Sequence, residues 1–297
     1  MSDLQQNPDP ITSEELAPPE EKIVILPSEV ASVEAEPVIV ITAPDVAATA
    51  LVAPAPRDPA WTGWDVLAIL MVGAVSFFTL LFLLVISFPG HSIQDKANRV
   101  ASRPDLALGL QVVVYLIVLG CMYIVVMART GGAPFLKSIH WNWPTTLWPY
   151  LLTGLALQAV VVTMEQFLPL PKDTPFDALL KNPKTVLLIA AFAVTLGPLM
   201  EELFFRAFLY SVLARRVGVI GAIAITALGF AGVHASQYAN SPTLISLLFL
   251  VGLVIGWVRA KKNSVAAGLL VHVAYNGIVV FALVAAKMTG NLEKLAR

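Results

Sequence analysis

Long apolar runs separated by short polar stretches set the pattern of the chain. Seven runs read as membrane-spanning helices: Val66 to Phe88, Leu106 to Met127, Thr145 to Leu168, a region from Thr185 through Pro198 to Arg215-Arg216, Val217 to His234, Leu244 to Val258, and Val265 to Ala286. Most approach the length of about 20 residues that an α-helix needs to cross a hydrocarbon core about 30 Å thick. Pro89-Gly90, Gly131-Gly132 and the basic group Arg259, Lys261 and Lys262 close three of them. The pattern predicts an all-α fold, a polytopic transmembrane bundle of about seven helices over residues 61–297.

Composition agrees. The 297 residues are 57% hydrophobic and 13% charged, with a mean hydropathy of +0.77. Ordinary soluble domains carry roughly 25% charged residues. So few charges cannot clothe a soluble surface. Trp141, Trp143 and Trp148 cluster ahead of the third run, as interfacial anchors do.

The net charge of -1 hides an asymmetry, because residues 1–60 hold eleven Asp and Glu against only Lys22 and Arg57. That segment also has ten prolines and lacks a basic stretch leading into an apolar one. It reads as a disordered acidic tail without a cleavable signal, with binding of an unidentified partner as an alternative role. Basic residues of the remainder sit mostly in short loops, facing membrane lipid headgroups and giving no face for nucleic acid. They divide eight against nine between the two sides, so the charge rule does not orient the bundle. A long tail without a signal favours a cytoplasmic N-terminus, and the plasma membrane is the expected location. Cys121 is the only cysteine and lies inside an apolar run, as a small hydrophobe does.

Several polar residues interrupt these runs. Glu201, Glu202 and Arg206 all fall in the fourth run, where each charge costs about 2.5–3.5 kcal/mol at the bilayer centre. Glu202 and Arg206 stand at i and i+4 in the favourable order and are expected to pair. Glu201 lies about 100° further round the helix and is left free, a candidate general base. The alternative is a structural ion pair with Glu201 turned to the interface. Pro198 removes a backbone donor and crowds the carbonyl of Val194, which predicts a kink or an opening. His91 and His140 lie in loops and read as surface residues. His234 closes the fifth run four residues after Phe230, and His272 lies inside the seventh with Asn276 at i+4. Gly252 and Gly256 predict close helix contact.

Glu201-Glu202-x-x-x-Arg206, Phe230-x-x-x-His234 and His272-x-x-x-Asn276 together resemble the three motifs of the CAAX prenyl protease and bacteriocin-processing (CPBP) family of intramembrane endopeptidases. The resemblance covers about a third of the chain, roughly residues 185–286. It implies that Glu201 and His234 activate a water, that His272 and Asn276 stabilise a tetrahedral oxyanion, and that Glu202 and Arg206 support them. The implied substrate is a membrane-embedded or lipidated peptide. No cofactor is expected, although Glu201, His234 and His272 could hold a zinc ion with a water as fourth ligand. The acidic tail lies outside the family's pattern, and an eighth span is absent. No His-Glu-x-x-His, Gly-x-Ser-Gly or Gly-x-Gly-Asp motif occurs, so other intramembrane proteases lack their key residues. A non-catalytic membrane scaffold or immunity-type relative, and a proton-coupled carrier relaying through Glu201 and His234, are the alternative functions.

Overall fold

The seven apolar runs each fall on helix in the computed structural model, which describes residues 58–172, 174–175 and 186–289. The acidic tail lies outside the described residues except for residues 58–60. No strand occurs among the described residues. In chain order the helices are α1 (Gly63–Ser87), α2 (Ile93–Ala101), α3 (Pro104–Thr130), α4 (Phe135–Ser138), α5 (Trp148–Glu165), α6 (Val186–Val194) and α7 (Leu196–Glu201). A π-helical stretch, Glu202–Leu209, then leads into α8 (Tyr210–Val233), a short 3-10 turn (Ala235–Tyr238), α9 (Pro242–Lys262) and α10 (Val265–Met288).

Among the described residues five helical stretches are long and apolar enough to cross a membrane. One of them, Val186–Val233, is 48 residues long and contains both the fourth and the fifth expected spans. The two meet at Gly218, whose φ of 76° interrupts the helix one residue past the expected boundary. The third expected span corresponds to α5, which stops at Glu165, short of Leu168. The protein is a multi-pass integral membrane protein.

Local chemistry accounts for the helix ends. Ser92 accepts a hydrogen bond from the amide of Asp95 to start α2 inside the expected polar loop. Gly131 ends α3 in the left-handed conformation at φ 66°. Thr62 and Asp65 form a capping box on α1, and Arg129 of α3 ties onto the same Asp65 carboxylate at 2.7 Å. Trp143 and Trp148 are largely exposed, as interfacial anchors require.

One sequence expectation is met in its stronger form and two need correction. Pro198 predicts a kink or an opening, and the chain opens: it breaks at Thr195 (φ -125°, ψ -94°) and continues after a short α-turn as a π-helix. Arg259, expected at the end of a span, is only 2% exposed. His140 is also half-buried rather than a surface residue: its Nε2 lies 3.1 Å from Asp58, and its carbonyl accepts the amide of Val265 at the start of α10.

Helix α10 packs along α5, and α9 along α8. Glycines permit both approaches: a Cβ on Gly154 of α5 would collide with the Val271 carbonyl of α10. A Cβ on Gly252 would stand 2.9 Å from the backbone of Ala227, and one on Gly256 would stand 3.2 Å from Ile223. The expected small-residue contact therefore joins α9 to α8. Gly109 has open space around it. Gly252→Leu is expected to destabilise the protein by about 1–3 kcal/mol through overpacking. Gly109→Ala should leave stability equal or slightly raised. Thermal unfolding of the purified protein in detergent compares them.

Candidate active site

The break at Thr195 and the wide π-turn after it aim two adjacent carboxylates into the bundle. Pro198 has no N–H to give the carbonyl of Val194, so the α-helical ladder cannot run through this point. The Thr195 hydroxyl instead donates to Ala191 at 2.6 Å. Past the break, the π-helical stretch places Glu202 and Arg206 wholly inside the protein, each with no exposed side-chain surface. Glu201 keeps 20% of its side chain exposed.

Glu202 organises the buried layer. Its Oε1 stands 3.2 Å from Arg206 Nη1 and 2.9 Å from His272 Nδ1. The sequence indicated the first contact and missed the second. A carboxylate only accepts, so His272 Nδ1 carries the proton of that bond and Nε2 is turned the other way. Gly268 makes this possible, since a Cβ there would stand 2.9 Å from Glu202 Oε2. Arg206 is held by charge and by aromatic faces more than by hydrogen bonds. Its guanidinium lies 4.7 Å from the ring centre of Phe230 and 5.8 Å from that of Phe205, and Nη2 reaches the carbonyl of Gly252 at 3.4 Å.

Glu201 faces the two histidines. Its Oε1 lies 3.6 Å from His234 Nε2 and its Oε2 lies 3.6 Å from His272 Nε2. His234, at the C-terminal end of α8, directs Nδ1 to the carbonyl of Phe230 at 2.8 Å, which likewise puts the proton on Nδ1. Both imidazoles thus have one nitrogen anchored and the other turned to Glu201. Phe230 wedges the group together: its ring centre is 4.9 Å from that of His234 and 5.5 Å from that of His272. With His234 17% and His272 3% exposed, the cluster is mostly enclosed.

Five of the six motif side chains lie in this one network. Asn276 reaches α6 instead, where its Nδ2 donates to the carbonyl of Ala193 at 2.7 Å, two residues before the break. An amide nitrogen has two hydrogens, so one donor is left over from this bond. Phe230, Gly268 and Arg259 carry functions that sequence reasoning did not assign. The i, i+4 spacing of Phe230 to His234 was the available signal for the first. Gly268 and Arg259 had none. Glu201, His234 and His272 are the set that could hold a zinc ion, and among the described residues no group of three or more His, Cys, Asp or Glu is arranged to hold a metal ion.

Taken together, the fold and site define a membrane-embedded helical protein with a carboxylate and two oriented imidazoles around one mostly enclosed point. Residues 183–278 match the family model described as type II CAAX prenyl endopeptidase Rce1-like. The matched segment is about a third of the 297-residue chain and contains every motif residue named above. The resemblance of this segment to the CPBP endopeptidases is therefore shown. No curated protein and no solved structure matches the chain.

The buried Glu202–Arg206 pair yields a stability test. Removing one partner strands a charge inside the protein, so Glu202→Leu and Arg206→Leu should each lower stability by about 3–5 kcal/mol. The double variant should lose clearly less than the sum of the two. Denaturant unfolding of all three against wild type makes the comparison.

Proposed function

We propose that the protein is an intramembrane endopeptidase that hydrolyses a peptide bond in a membrane-anchored or lipidated, CAAX-like protein or peptide, using a water activated by Glu201 and His234. The observation that carries this reading is the convergence of Glu201 and two imidazole Nε2 atoms, each 3.6 Å from a different oxygen of that carboxylate. With both Nδ1 atoms protonated, neutral imidazoles would turn lone pairs toward the carboxylate, so a proton or a proton-bearing molecule must join them. A water seated beside these groups can donate to the carboxylate and to an Nε2 at once.

The proton balance follows. The water oxygen bonds to the scissile carbonyl carbon while its proton passes to Glu201, and His234 Nε2 accepts a hydrogen bond from the second water hydrogen. The carbonyl electrons move onto oxygen. Two donors serve that oxyanion: the second amide hydrogen of Asn276, and His272 through Nε2 when that nitrogen bears a proton. The C–N bond then breaks as Glu201 returns its proton to the leaving amine. Glu202 and Arg206 do not touch the reacting atoms; they hold His272 in place. The bilayer suits a substrate tethered by lipid, because the tether supplies local concentration before any contact with the site.

A farnesylated, fluorescence-quenched CAAX peptide, with purified protein in nanodiscs, tests the reading. Glu201→Gln and His234→Ala should abolish cleavage with unfolding behaviour unchanged. Asn276→Ala should lower kcat about 10²–10³-fold, the usual effect of one oxyanion donor. Wild-type rates in both Glu201→Gln and His234→Ala would remove the enzymatic mechanism and favour a non-catalytic scaffold. A chelator should leave the rate unaltered; loss of cleavage that zinc restores would replace the metal-free route with a metal-dependent one.

A further inference from the structure

The π-helical stretch is the least self-sufficient element in the protein. It runs for eight residues, Glu202–Leu209, whereas π-helices ordinarily appear as single turns. Each of its turns contains more than an α-turn, so Glu202, Phe205 and Arg206 point where an α-helix would not put them. Nothing in its sequence requires that geometry, since Leu, Phe and Ala are ordinary α-helix residues. Something outside the stretch must hold it.

Two side-chain donors do so. Trp61, 1% exposed, donates its indole Nε1–H to the carbonyl of Phe208 at 3.2 Å and stacks on the Phe208 ring at 4.7 Å. Arg259, on α9, donates Nε–H to the carbonyl of Arg206 at 3.1 Å. Both donors are themselves fixed. Arg215, early in α8, reaches back to the carbonyls of Pro59 and Trp61 at 2.9 and 3.0 Å, closing a loop from the π-stretch to the Trp61 strap and back. Arg259 binds Asn263 Oδ1 at 2.9 Å and lies 5.2 Å from the ring centre of Tyr210. Among the described residues its donors go to a carbonyl and an amide oxygen and not to a carboxylate. A buried guanidinium spent on a backbone carbonyl is costly unless that carbonyl's position matters.

We propose that Trp61 and Arg259 are positioning residues for the site: they hold the π-helical stretch at two of its carbonyls, and through it the placement of Glu202 against His272 and of Glu201 between the two imidazoles. The role as a positioning pair for hydrolysis rests on the endopeptidase reading, but the geometric claim does not. If the stretch relaxes toward α-helix, Glu202 turns away from His272 Nδ1 and the imidazole loses its fixed tautomer. Trp61 lies two residues before α1, so the start of the first long helix is joined to the site.

Trp61→Phe keeps the ring stack on Phe208 and removes only the donor. Arg259→Met keeps the side-chain stem and removes the guanidinium, and Arg259→Lys restores a donor. Two readouts apply in nanodiscs. The first is the ¹⁵N spectrum of histidine-labelled protein, with the His272 signal assigned by its loss in His272→Gln. The second is cleavage of the farnesylated CAAX peptide. In Trp61→Phe and Arg259→Met the His272 signal should move from a pure Nδ1–H tautomer toward a mixture. In both, kcat should fall about ten-fold or more with KM within about three-fold, as expected for misplaced groups rather than lost binding. Arg259→Lys should recover most of both. Folded variants with an unchanged His272 signal and unchanged kcat overturn the proposal. Should Trp61→Phe not fold, the two Arg259 variants decide by the same readouts. Should wild-type protein cleave nothing, the endopeptidase reading fails, and the His272 spectrum still decides whether Trp61 and Arg259 hold the site.

Discussion

One carboxylate holds this centre in place. Glu202 lies wholly inside the protein, with Arg206 and His272 both on its Oε1 at 3.2 and 2.9 Å. A buried anion survives only with such partners, and among the described residues Glu202 is the one carboxylate paired with Arg206. Three helical segments are thereby joined: the π-stretch through Glu202 and Arg206, α10 through His272, and α8 through the Phe230 ring beneath the guanidinium. Remove Glu202, and a cation is stranded while an imidazole is free to turn.

The division of labour between the two neighbouring acids follows from that constraint. Glu202 is consumed by structure, so Glu201, the residue before it, is the one free to face the imidazoles from the partly exposed side. Backbone irregularity makes the division possible. A regular α-helix through residues 186–216 would satisfy its own carbonyls; the break at Thr195 instead frees the end of α6, where Asn276 docks on Ala193. Irregular backbone at membrane depth persists where protein encloses it and satisfies its polar groups. Here Asn276, Arg259 and Trp61 each donate to a carbonyl of this region.

Much of the architecture was legible in the residues. Apolar run length specifies helices because nothing but a helix can satisfy its own backbone in lipid. The pairing of Glu202 with Arg206 followed from helical spacing, and the cost of three charges in one run pointed to a site there. Even the boundary at Gly218 was close, since Arg215-Arg216 marks where apolar character stops. Pro198 predicts a kink or an opening but not the π-helix that follows, because proline alone does not reveal how far the chain reorganises after it. Arg259 was misjudged for a related reason: beside Lys261 and Lys262 it looks like part of a basic helix end, and only the fold turns it inward.

Sequence alone determined which segments enter the membrane and which polar residues must be reconciled inside it, because both depend on composition and on spacings of three or four residues. The tertiary structure decided which partners those residues found. That Glu202 binds His272, that Gly268 leaves room for it, and that Trp61 reaches Phe208 are contacts across 70, 66 and 147 positions of chain. No local pattern encodes such separations. They arise only when helices pack, and packing depends on the shapes of all the side chains between them at once.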